Sequence, residues 1–534
     1  MATATLGHDD AWRADEKNIQ GTGARDGSEK SAVDVAAPDT GSSIDLGQEL
    51  IDTSKIDIVL TKKMALINKT IDEIGMTPLH WKLFALNGFG YAADSLLVSC
   101  QYITQRSVIQ EFGNPNPPLQ GVSLASQIGL LAGAALWGFS ADIIGRRLAF
   151  NSSLFVCAIF VLLTGAMPNY ISFCAFIAIY SAGAGGNYIL DATNFIEFLP
   201  VSHSFLVTLL AAWWGIGYII TGFFAWWYMS DYSCQPKAAE CHRKDNMGWR
   251  YLHFTAGAIC TVLALIRVFA IKMPHTPKYL ISNNRDEEVF EDLQAQALKY
   301  NRPFTLTLEQ LRGLGEIKNA QKSRWSLTRI KHHFVDLFRT LKLAYSTVMI
   351  MLNWFFIGTV SPLYGVFLPY YLSSRNADLG GNNNYYTWRD YAINQVMGFI
   401  GPCLAAFLVE YKWLGRRGTL AVSAAATTAL QIGYTQITTP SQNLGISCAI
   451  SIVSNIYYGV LYAYTPEILP AANRGTGYAL CVIVNRIGGI IGVIVGSYAN
   501  VTTVTPLWVC AGLYGALIFT SLALPFESRG KRTV

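Results

Sequence analysis

Three ionisable side chains lie deep inside long apolar stretches of this chain, namely Asp94, Asp191 and Arg486. A charge in such surroundings is costly, so each of the three is a candidate functional group. A guanidinium keeps its proton, and its planar fork matches a carboxylate or a phosphate. A carboxylate can instead take up and release a proton. The combination predicts an anion-binding group beside two candidate proton carriers.

Two polar stripes at helical spacing contain these carboxylates. Each stripe has residues at i, i+4 and i+7, which share one face of a helix. The stripes are Asn87, Tyr91 and Asp94 in one segment and Asn187, Asp191 and Asn194 in another. Each stripe is therefore predicted to face a water-filled cavity.

Arg486 has two interpretations. As a binding group it would hold a substrate anion together with its neighbour Asn485; as a structural group it would only balance Asp94 or Asp191. Arg486 can also take the two roles in turn, since a substrate anion can pair with it once the carboxylate has taken up a proton.

The composition argues against a soluble globular protein. Charged residues make up 14% of the chain and apolar residues 51%, whereas a soluble domain carries about 25% charged residues. Membrane lipid is the expected surrounding. The net charge of +5 is spread over short clusters, which predicts no nucleic-acid partner. No nucleophile–base pair, metal-binding cluster or phosphate loop is recognisable, so neither catalysis nor a cofactor is predicted.

Cys234 and Cys241 share a hydrophilic loop, while the other cysteines lie in or beside apolar segments without a CxxC spacing. No metal site is implied. The loop is expected outside the cytosol, where a disulfide is favoured. Two free thiols remain the alternative.

Apolar segments long enough to cross about 30 Å of hydrocarbon recur from Trp81 onward. They predict an all-α membrane protein with twelve transmembrane helices, the fourth and seventh interrupted by Gly or Pro. The predicted spans are 82–103, 121–141, 148–167, 171–197, 204–228, 251–272, 344–371, 391–410, 418–437, 444–467, 475–499 and 504–525.

Basic residues in the short loops predict the orientation. Arg147, Arg417 and Arg474 follow even-numbered spans, and positive loop residues favour the cytosolic side. Both termini are then cytosolic, with the plasma membrane as the default location. The predicted parts are a disordered tail 1–60, six-helix bundles 61–273 and 344–525, a cytosolic linker 274–343 and a cytosolic tail 526–534. An amphipathic segment from Ile58 to Ile74 is expected to rest on the membrane surface.

Internal repetition indicates two parallel halves. Gly145-Arg146-Arg147 recurs 270 residues later as Gly415-Arg416-Arg417, and Glu197-Phe198-Leu199-Pro200 recurs at the same offset as Glu467-Ile468-Leu469-Pro470. Repeats related by an axis along the membrane normal leave such a pattern. The halves are therefore predicted to be parallel copies of six helices.

The segment from Gly138 to Arg147 resembles the loop-2/3 signature of the major facilitator superfamily, and the resemblance extends from Trp81 to Pro525. Charged groups at the cytosolic edge are then expected to form a gate that holds one face closed. The candidates are Asp142, Arg146, Arg147, Glu197, Arg416, Arg417, Glu467 and Arg474. Simple anchoring by the positive residues is the alternative interpretation.

Two further segments narrow the resemblance. Residues 273–280 resemble the Pro-Glu-Ser-Pro-Arg-like motif of sugar porters, with His275 in place of the acid, and 465–477 resemble their Pro-Glu-x-x-Pro-x-x-x-Arg-Gly-x-Gly element. The chain looks most like fungal general-substrate transporters, beside phosphate:proton symporters, organic-ion carriers and synaptic-vesicle-protein-like carriers. The resemblance implies a cavity lined by the first, fourth, seventh and tenth helices, which adds Asn353, Tyr364, Asn455, Tyr458 and Tyr462.

These inferences predict a monomeric secondary transporter of a small anionic organic solute, coupled to protons through Asp94 or Asp191. The expected substrate-binding residues are Arg486, Asn485, Asn187, Asn87, Tyr91, Tyr458 and Asn455. Phosphate symporters carry an acid in the seventh helix, and span seven of this chain has none, so phosphate is disfavoured as the solute. A neutral hexose is also disfavoured, because sugar porters lack a central arginine. Efflux of a metabolite or toxin, symport of a sugar or phosphate, and a non-transporting receptor on a carrier scaffold stay open.

Overall fold

The computed structural model describes residues 58–113, 120–144, 146–235, 240–270, 275–317, 334–335, 337–374, 383–470, 474–499 and 503–528. These residues form helices and no strand. The first half of the bundle consists of α2 (Pro78–Phe112), α3 (Gly121–Ile144), α4 (Arg146–Thr164), α5 (Tyr170–Ala184), α6 (Asn187–Phe198), α7 (Phe205–Leu209), α8 (Ala212–Asp231) and α9 (Gly248–Leu265).

The second half consists of six helices. They are α13 (Leu341–Ser374), α14 (Asn384–Leu408), α15 (Gly415–Tyr434), α16 (Pro440–Ile468), α17 (Arg474–Tyr498) and α18 (Thr505–Leu522). Helices occupy all twelve predicted spans. Within the described residues, nine helical segments are long and apolar enough to cross a membrane, and Leu148–Thr164 and Tyr170–Ala184 are shorter apolar helices.

The two predicted interruptions have different outcomes. The fourth span does break, between α5 and α6, where Gly185 and Gly186 lie against α3. A Cβ atom on Gly185 would lie 2.4 Å from the carbonyl oxygen of Leu130, so only glycine fits at this contact. The seventh span is one helix, α13, which continues through Pro362. The predicted interruption there was wrong, because a helix in lipid tolerates a proline when its surroundings satisfy the freed backbone groups.

The amphipathic segment forms α1 (Ile58–Ile74), but protein rather than lipid covers its apolar face. Ile67, Ile71 and Ile74 pack against the linker helices α10 (Pro277–Ser282), α11 (Asp286–Lys299) and α12 (Leu308–Gly313). The Nζ atom of Lys63 lies 2.5 Å from the carboxylate of Asp286, and Lys63 is buried. The apolar stripe of α1 therefore belongs to a small core shared with the linker.

Two helix pairs make the main contacts between the halves. α17 packs along α3, and α14 packs along α8. Gly489 of α17 permits close packing in this region, since a Cβ there would lie 2.6 Å from the side-chain oxygen of Gln127 on α3.

Candidate functional site

The first carboxylate, Asp94, is fully buried in the middle of α2 and is held by one neutral donor. The Nδ2 atom of Asn187, at the start of α6, donates a hydrogen bond to Oδ1 of Asp94 at 2.9 Å. Ser153 on α4 donates in turn to Oδ1 of Asn187 at 2.7 Å. Oδ2 of Asp94 has no hydrogen-bond partner among the described atoms. Asp94 thus ends a chain of hydrogen bonds that joins three helices.

The second carboxylate, Asp191 on α6, pairs with an arginine that the sequence analysis did not single out. Arg267 lies in the π-helical turn Ile266–Ala270 that follows α9. Its Nη2 atom lies 2.6 Å from Oδ1 of Asp191, and both side chains are fully buried. Its Nη1 atom donates to the carbonyl oxygen of Phe150 at 3.1 Å, and the guanidinium carbon lies 3.2 Å from the centre of the Phe150 ring.

The same signal marks Arg267 and Arg486 in the sequence, since both arginines lie within predicted spans. The ion pair with Asp191 that was considered for Arg486 is therefore formed by Arg267. Gly90 on α2 allows this pair to sit against the first helix. A Cβ atom there would lie 1.8 Å from Oδ2 of Asp191 and 2.8 Å from Nη2 of Arg267.

The two polar stripes are buried by neighbouring helices instead of facing a water-filled cavity. Asn87, Tyr91, Asn187 and Asn194 expose at most 1% of their surface. Asn87 donates to the carbonyl oxygen of Leu83 one turn earlier at 2.7 Å, so its side chain is engaged by its own helix. The prediction that the stripes face a water-filled cavity therefore does not hold in this conformation.

Arg486 lies at the centre of α17 and is half-buried. It interacts with Tyr462 on α16. Its charge also acts on Tyr102 and Asp94 on α2 and on Tyr458 on α16. The arginine therefore interacts with groups on both halves of the bundle.

Asn485 and Asn455, two of the predicted substrate-binding residues, donate to backbone carbonyl oxygens. Asn485 is buried and donates to the carbonyl oxygen of Trp354 on α13 at 2.9 Å. A Cβ on Gly358 of α13 would lie 2.3 Å from the Asn485 carbonyl oxygen, so Asn485 lies in a tight helix contact. Asn455 donates to the carbonyl oxygen of Ser451 on its own helix at 2.7 Å.

A cluster of aromatic rings packs beside Arg486 and joins the halves. The ring of Trp214 on α8 lies 5.1 Å from Tyr91, 4.2 Å from Tyr462 and 6.4 Å from Tyr458 between ring centres. Tyr462 also lies 4.5 Å from Trp354 on α13. These aromatic side chains come from the first, fifth, seventh and tenth predicted spans.

A second polar group, the Arg416 cluster, consists of Arg416, Glu467, Ser204 and Ser528. The Nε and Nη2 atoms of Arg416 donate to both carboxylate oxygens of Glu467 at 2.7 and 2.9 Å. Nη2 also donates to Oγ of Ser204 in the first half at 3.0 Å, and Ser528 donates to Glu467 at 2.6 Å. Arg416 is fully buried in this cluster, which connects the two halves.

The other gate candidates lie partly within and partly outside the described residues. Arg417 donates to the carbonyl oxygen of Leu522 at 2.6 Å, while Arg474 is buried at the start of α17. Glu197 is buried near the end of α6. The side chains of Asp142, Arg146 and Arg147 lie outside the described residues, so pairing of Glu197 with these arginines stays a prediction.

Cys234 and Cys241 form a disulfide beyond the end of α8. The helical stretch from Phe205 to Asp231 separates this loop from Ser204 by about 40 Å at 1.5 Å per residue. We call these opposite ends of the bundle the disulfide end and the Arg416 end. At the disulfide end, Asn384 of the second half donates to the carbonyl oxygen of Cys234 at 3.1 Å.

The sequence was compared with family models and with curated proteins. The model described as Major Facilitator Superfamily matches residues 87–493. The chain is 38% identical over 496 residues to the MFS siderochrome iron transporter 1 of Ceriporiopsis subvermispora, covering 91% of this chain and 94% of that protein. It is 26% identical to the niacin transporter NiaP of Acinetobacter baylyi, covering 81% of this chain and 90% of NiaP.

The fold was compared with solved structures. The MFS proton:xylose symporter XylE bound to 6-bromo-6-deoxy-D-glucose superposes with a TM-score of 0.60 at 15% sequence identity. The match covers 85% of this chain and 97% of XylE. At this identity the likeness supports the fold alone, with twelve helices in two halves.

Proposed function

The chain belongs to the major facilitator superfamily of membrane transporters, and from that premise we propose that it is a proton-coupled carrier of a small organic anion. The observation that carries the proposal is the placement of Arg486. It is half-buried at the centre of α17 and interacts electrostatically with Tyr458 and Tyr462 on α16 and with Tyr102 on α2 of the other half. A cation between the two halves suits a site that is exposed to each side in turn.

We assign proton binding to Asp94 rather than Asp191. Asp191 is balanced by Arg267 at 2.6 Å, and breaking a buried ion pair is costly. Asp94 has only the amide of Asn187 as a hydrogen-bond donor among the described residues. A buried carboxylate with one neutral donor is better accommodated as the neutral acid. Asp94 is therefore the residue that gains most from a proton.

The coupling between solute and proton follows from charge. The positive charges of Arg267 and, less strongly, of Arg486 act on Asp94, and that of Arg486 favours the ionised carboxylate by simple attraction of opposite charges. An anion bound to Arg486 neutralises that influence, so proton uptake by Asp94 becomes easier when the solute is present. Linkage is reciprocal, so a protonated Asp94 strengthens anion binding by the same factor. This makes joint movement of anion and proton the favoured cycle, in either direction of net flux.

The names of the relatives define solutes to be tested. Niacin is a pyridine carboxylate, which fits the proposed class of small organic anion. The siderochrome iron transporter suggests a ferric chelate as the second solute to examine.

We place the Arg416 end in the cytosol, with cytosolic termini, because Arg417 and Arg474 lie there. We further propose that the protein resides in the plasma membrane as a monomer.

The test is uptake by proteoliposomes that contain the purified full chain. A panel of labelled organic anions, inorganic phosphate, glucose and a ferric hydroxamate is offered with and without an inward proton gradient. We expect accumulation of an organic anion that depends on the gradient. Uptake of only sugar, phosphate or chelate would overturn the anion assignment, and binding of an anion without any flux would support the receptor alternative.

Three variants separate the roles. Arg486→Gln should abolish anion uptake, since the fork that holds the solute is lost. Asp94→Asn should keep anion exchange across the membrane but lose accumulation driven by the gradient. Arg389→Gln is the matched control, because Arg389 pairs with its neighbour Asp390 near the start of α14 and is outside the site. Full anion uptake by Arg486→Gln would contradict the proposal.

A further inference from the structure

The two buried carboxylates of the first half are joined by a continuous chain of hydrogen bonds through α4. Asn187 donates to Asp94 at 2.9 Å, and Ser153 donates to Asn187 at 2.7 Å. Oγ of Ser153 also lies 3.1 Å from the carbonyl oxygen of Phe150, three residues earlier on α4. Nη1 of Arg267 donates to that same carbonyl oxygen at 3.1 Å, and its Nη2 atom holds the second carboxylate at 2.6 Å.

Ser153 is the branch point of this chain, because its one hydroxyl proton faces two acceptors. The side-chain oxygen of Asn187 and the carbonyl oxygen of Phe150 both lie within hydrogen-bond distance. A hydroxyl donates only one proton at a time, although it can also accept. All three residues are fully buried, so bulk water does not reach the acceptor that is left. The direction in which Ser153 donates therefore depends on what Asn187 requires.

Asn187 requires different partners for the two forms of Asp94. The ionised carboxylate only accepts, and it takes the amide N–H of Asn187. A proton on Oδ1 of Asp94 would point at that N–H donor, and a proton on Oδ2 would have no acceptor among the described atoms. Half a turn of the Asn187 amide removes the conflict, since its oxygen then accepts from the acid and its N–H group faces Ser153. The Ser153 hydroxyl must then donate to Phe150, and every polar group of the chain keeps a partner.

We propose that Asn187 and Ser153 are positioning residues that relay the proton on Asp94 to Arg267. This inference rests on the proposed function, since it takes proton binding by Asp94 as given and adds the route by which that proton acts. Once Ser153 donates to the Phe150 oxygen, two donors share one acceptor and their positive hydrogens repel each other. The hydrogen bond from Arg267 to α4 is then weakened.

Arg267 is placed where such a change can alter helix packing. It lies in the π-helical turn Ile266–Ala270, within the sixth predicted span, and π-helical turns are frequent at functional sites. α4 packs along α9, which leads into this turn. Weakening of the bond to Phe150 therefore loosens the turn from α4, while the ion pair with Asp191 keeps the turn attached to α6.

Several titratable or charged groups also face Asp94 and sense its charge directly. They are Tyr91 on α2, Cys157 on α4, Asp191 on α6, Cys260 on α9, Arg267 in the turn after α9, Tyr462 on α16 and Arg486 on α17. Their electrostatic interactions with Asp94 need no hydrogen bond through α4. Ser153 carries no charge, so its replacement interrupts the relay and leaves these direct interactions in place.

Difference infrared spectroscopy of the purified full chain, recorded as the pH is lowered, measures the relay without any solute. A buried carboxylic-acid band that is missing from Asp94→Asn marks the proton on Asp94. A side-chain amide band missing from Asn187→Ala marks the turn of that amide, and a guanidinium band missing from Arg267→Lys marks the end of the relay. We expect the three bands to change together at one pH.

Ser153→Ala is the decisive variant. The acid band of Asp94 should persist in it, while the change in the Arg267 band should be lost. Ser152→Ala is the matched control, because Ser152 is the next residue on α4 and donates to the carbonyl oxygen of Leu148 on its own helix at 2.7 Å. The control should keep all three bands.

Amide hydrogen exchange in the turn 266–270 gives a second measurement. Parent and Ser153→Ala are compared at the same neutral and acidic pH values, so that the intrinsic exchange rate cancels. On acidification the turn should exchange about 2- to 12-fold faster in the parent than in Ser153→Ala, which is the worth of one hydrogen bond. Equal exchange in the two proteins at acidic pH would contradict the relay.

The outcomes separate this inference from the proposed function. No acid band that depends on Asp94 would remove the proposed proton site, and the relay with it. An Asp94 band without a change in the Asn187 band, or an Arg267 band that persists in Ser153→Ala, would overturn the relay alone. Loss of the acid band itself in Ser153→Ala would make Ser153 a structural residue, and that result would also reject the relay.

Discussion

At the scale of single residues, the energetic cost of each buried charge depends on its partner. Asp191 and Arg267 form an ion pair at 2.6 Å with no exposure of either side chain, so neither group can turn to water if the other is removed. Asp94, one turn from the same contact on α2, has an amide as its partner. The two carboxylates are therefore expected to respond differently to substitution.

The first prediction tests this difference. Arg267→Gln should lower the free energy of unfolding by about 3–5 kcal/mol, because Asp191 would be left as an uncompensated buried charge. The double variant Arg267→Gln with Asp191→Asn should recover most of the loss. Thermal unfolding in detergent measures both. The control Arg285→Gln removes a largely exposed pair with Glu288 and should cost at most about 1 kcal/mol. Equal losses in Arg267→Gln and Arg285→Gln would contradict the buried-pair account.

The second prediction concerns the fork of Arg486. Arg486→Lys keeps the charge but loses bidentate binding, so anion affinity should fall by about 1–3 kcal/mol, roughly 5- to 150-fold. Arg486→Gln should weaken binding further. If Arg486 only balances Asp94, the double variant Arg486→Gln with Asp94→Asn should instead transport nearly as well as the parent. Isothermal titration with the best anion of the uptake panel, together with its uptake rate, distinguishes the two cases.

Residue types and spacing identified the charged groups but not their pairing. Asp94, Asp191 and Arg486 were predicted from their depth in apolar spans, and Arg267 carried the same signal. Which arginine meets Asp191 depends on the rotation of α6 and α9 about their axes, together with the space left by Gly90. A single sequence contains no direct measure of that rotation. The partner of Arg267 therefore became clear only in the folded chain.

At the scale of helices, close approach of α2 and α6 depends on the absence of one side chain. A Cβ atom on Gly90 would overlap the Asp191 carboxylate at 1.8 Å, and the ion pair with Arg267 prevents that carboxylate from moving away. The contact between the two helices is thus specified by glycine on one side and by a fixed charge pair on the other.

The third prediction follows from this contact. Gly90→Ala should destabilise the protein by about 1–3 kcal/mol, as expected for overpacking of a tight interior. Gly512→Ala on α18 is the control, because no atom lies within 4 Å of the added Cβ. The control should be neutral or slightly stabilising, since alanine favours a helix more than glycine does. Thermal unfolding of the two variants measures the difference, and a neutral Gly90→Ala would contradict the close contact between α2 and the Asp191 carboxylate of α6.

Helix α1 shows which element properties were readable in advance. Its amphipathic pattern predicted a helix from Ile58 to Ile74, and the helix has these bounds. The pattern did not distinguish lipid from protein as the cover of the apolar face, because both are apolar. The deciding contact, Lys63 with Asp286, joins residues far apart in the sequence.

At the scale of the whole molecule, the halves touch at both ends of the bundle. Arg416 reaches Ser204 at the Arg416 end, while Ser497 is an acceptor for the backbone N–H of Gln120 at 3.2 Å at the disulfide end. The repeated motifs predicted the two halves, which the family match and the fold confirm. Contact between the halves at both ends at once could not be predicted from the sequence, because the same sequence must also stabilise states in which one of these contacts is broken.

The last prediction tests whether the disulfide end must open. In Gln120→Cys with Ser497→Cys, oxidation should join α3 to α17 and stop transport, and a reductant should restore it. Ser126→Cys with Ser181→Cys is the matched control, since these hydroxyls lie 3.2 Å apart within the first half. Both pairs are placed in a background without the half-buried Cys174 and Cys403, and the background protein with reductant shows any effect of opening Cys234–Cys241. Rigid halves that rock about a central site require separation only between halves, so the control should transport whether oxidised or reduced. Full transport by the oxidised Gln120–Ser497 pair would mean that the solute does not enter or leave by separation of the halves at this end.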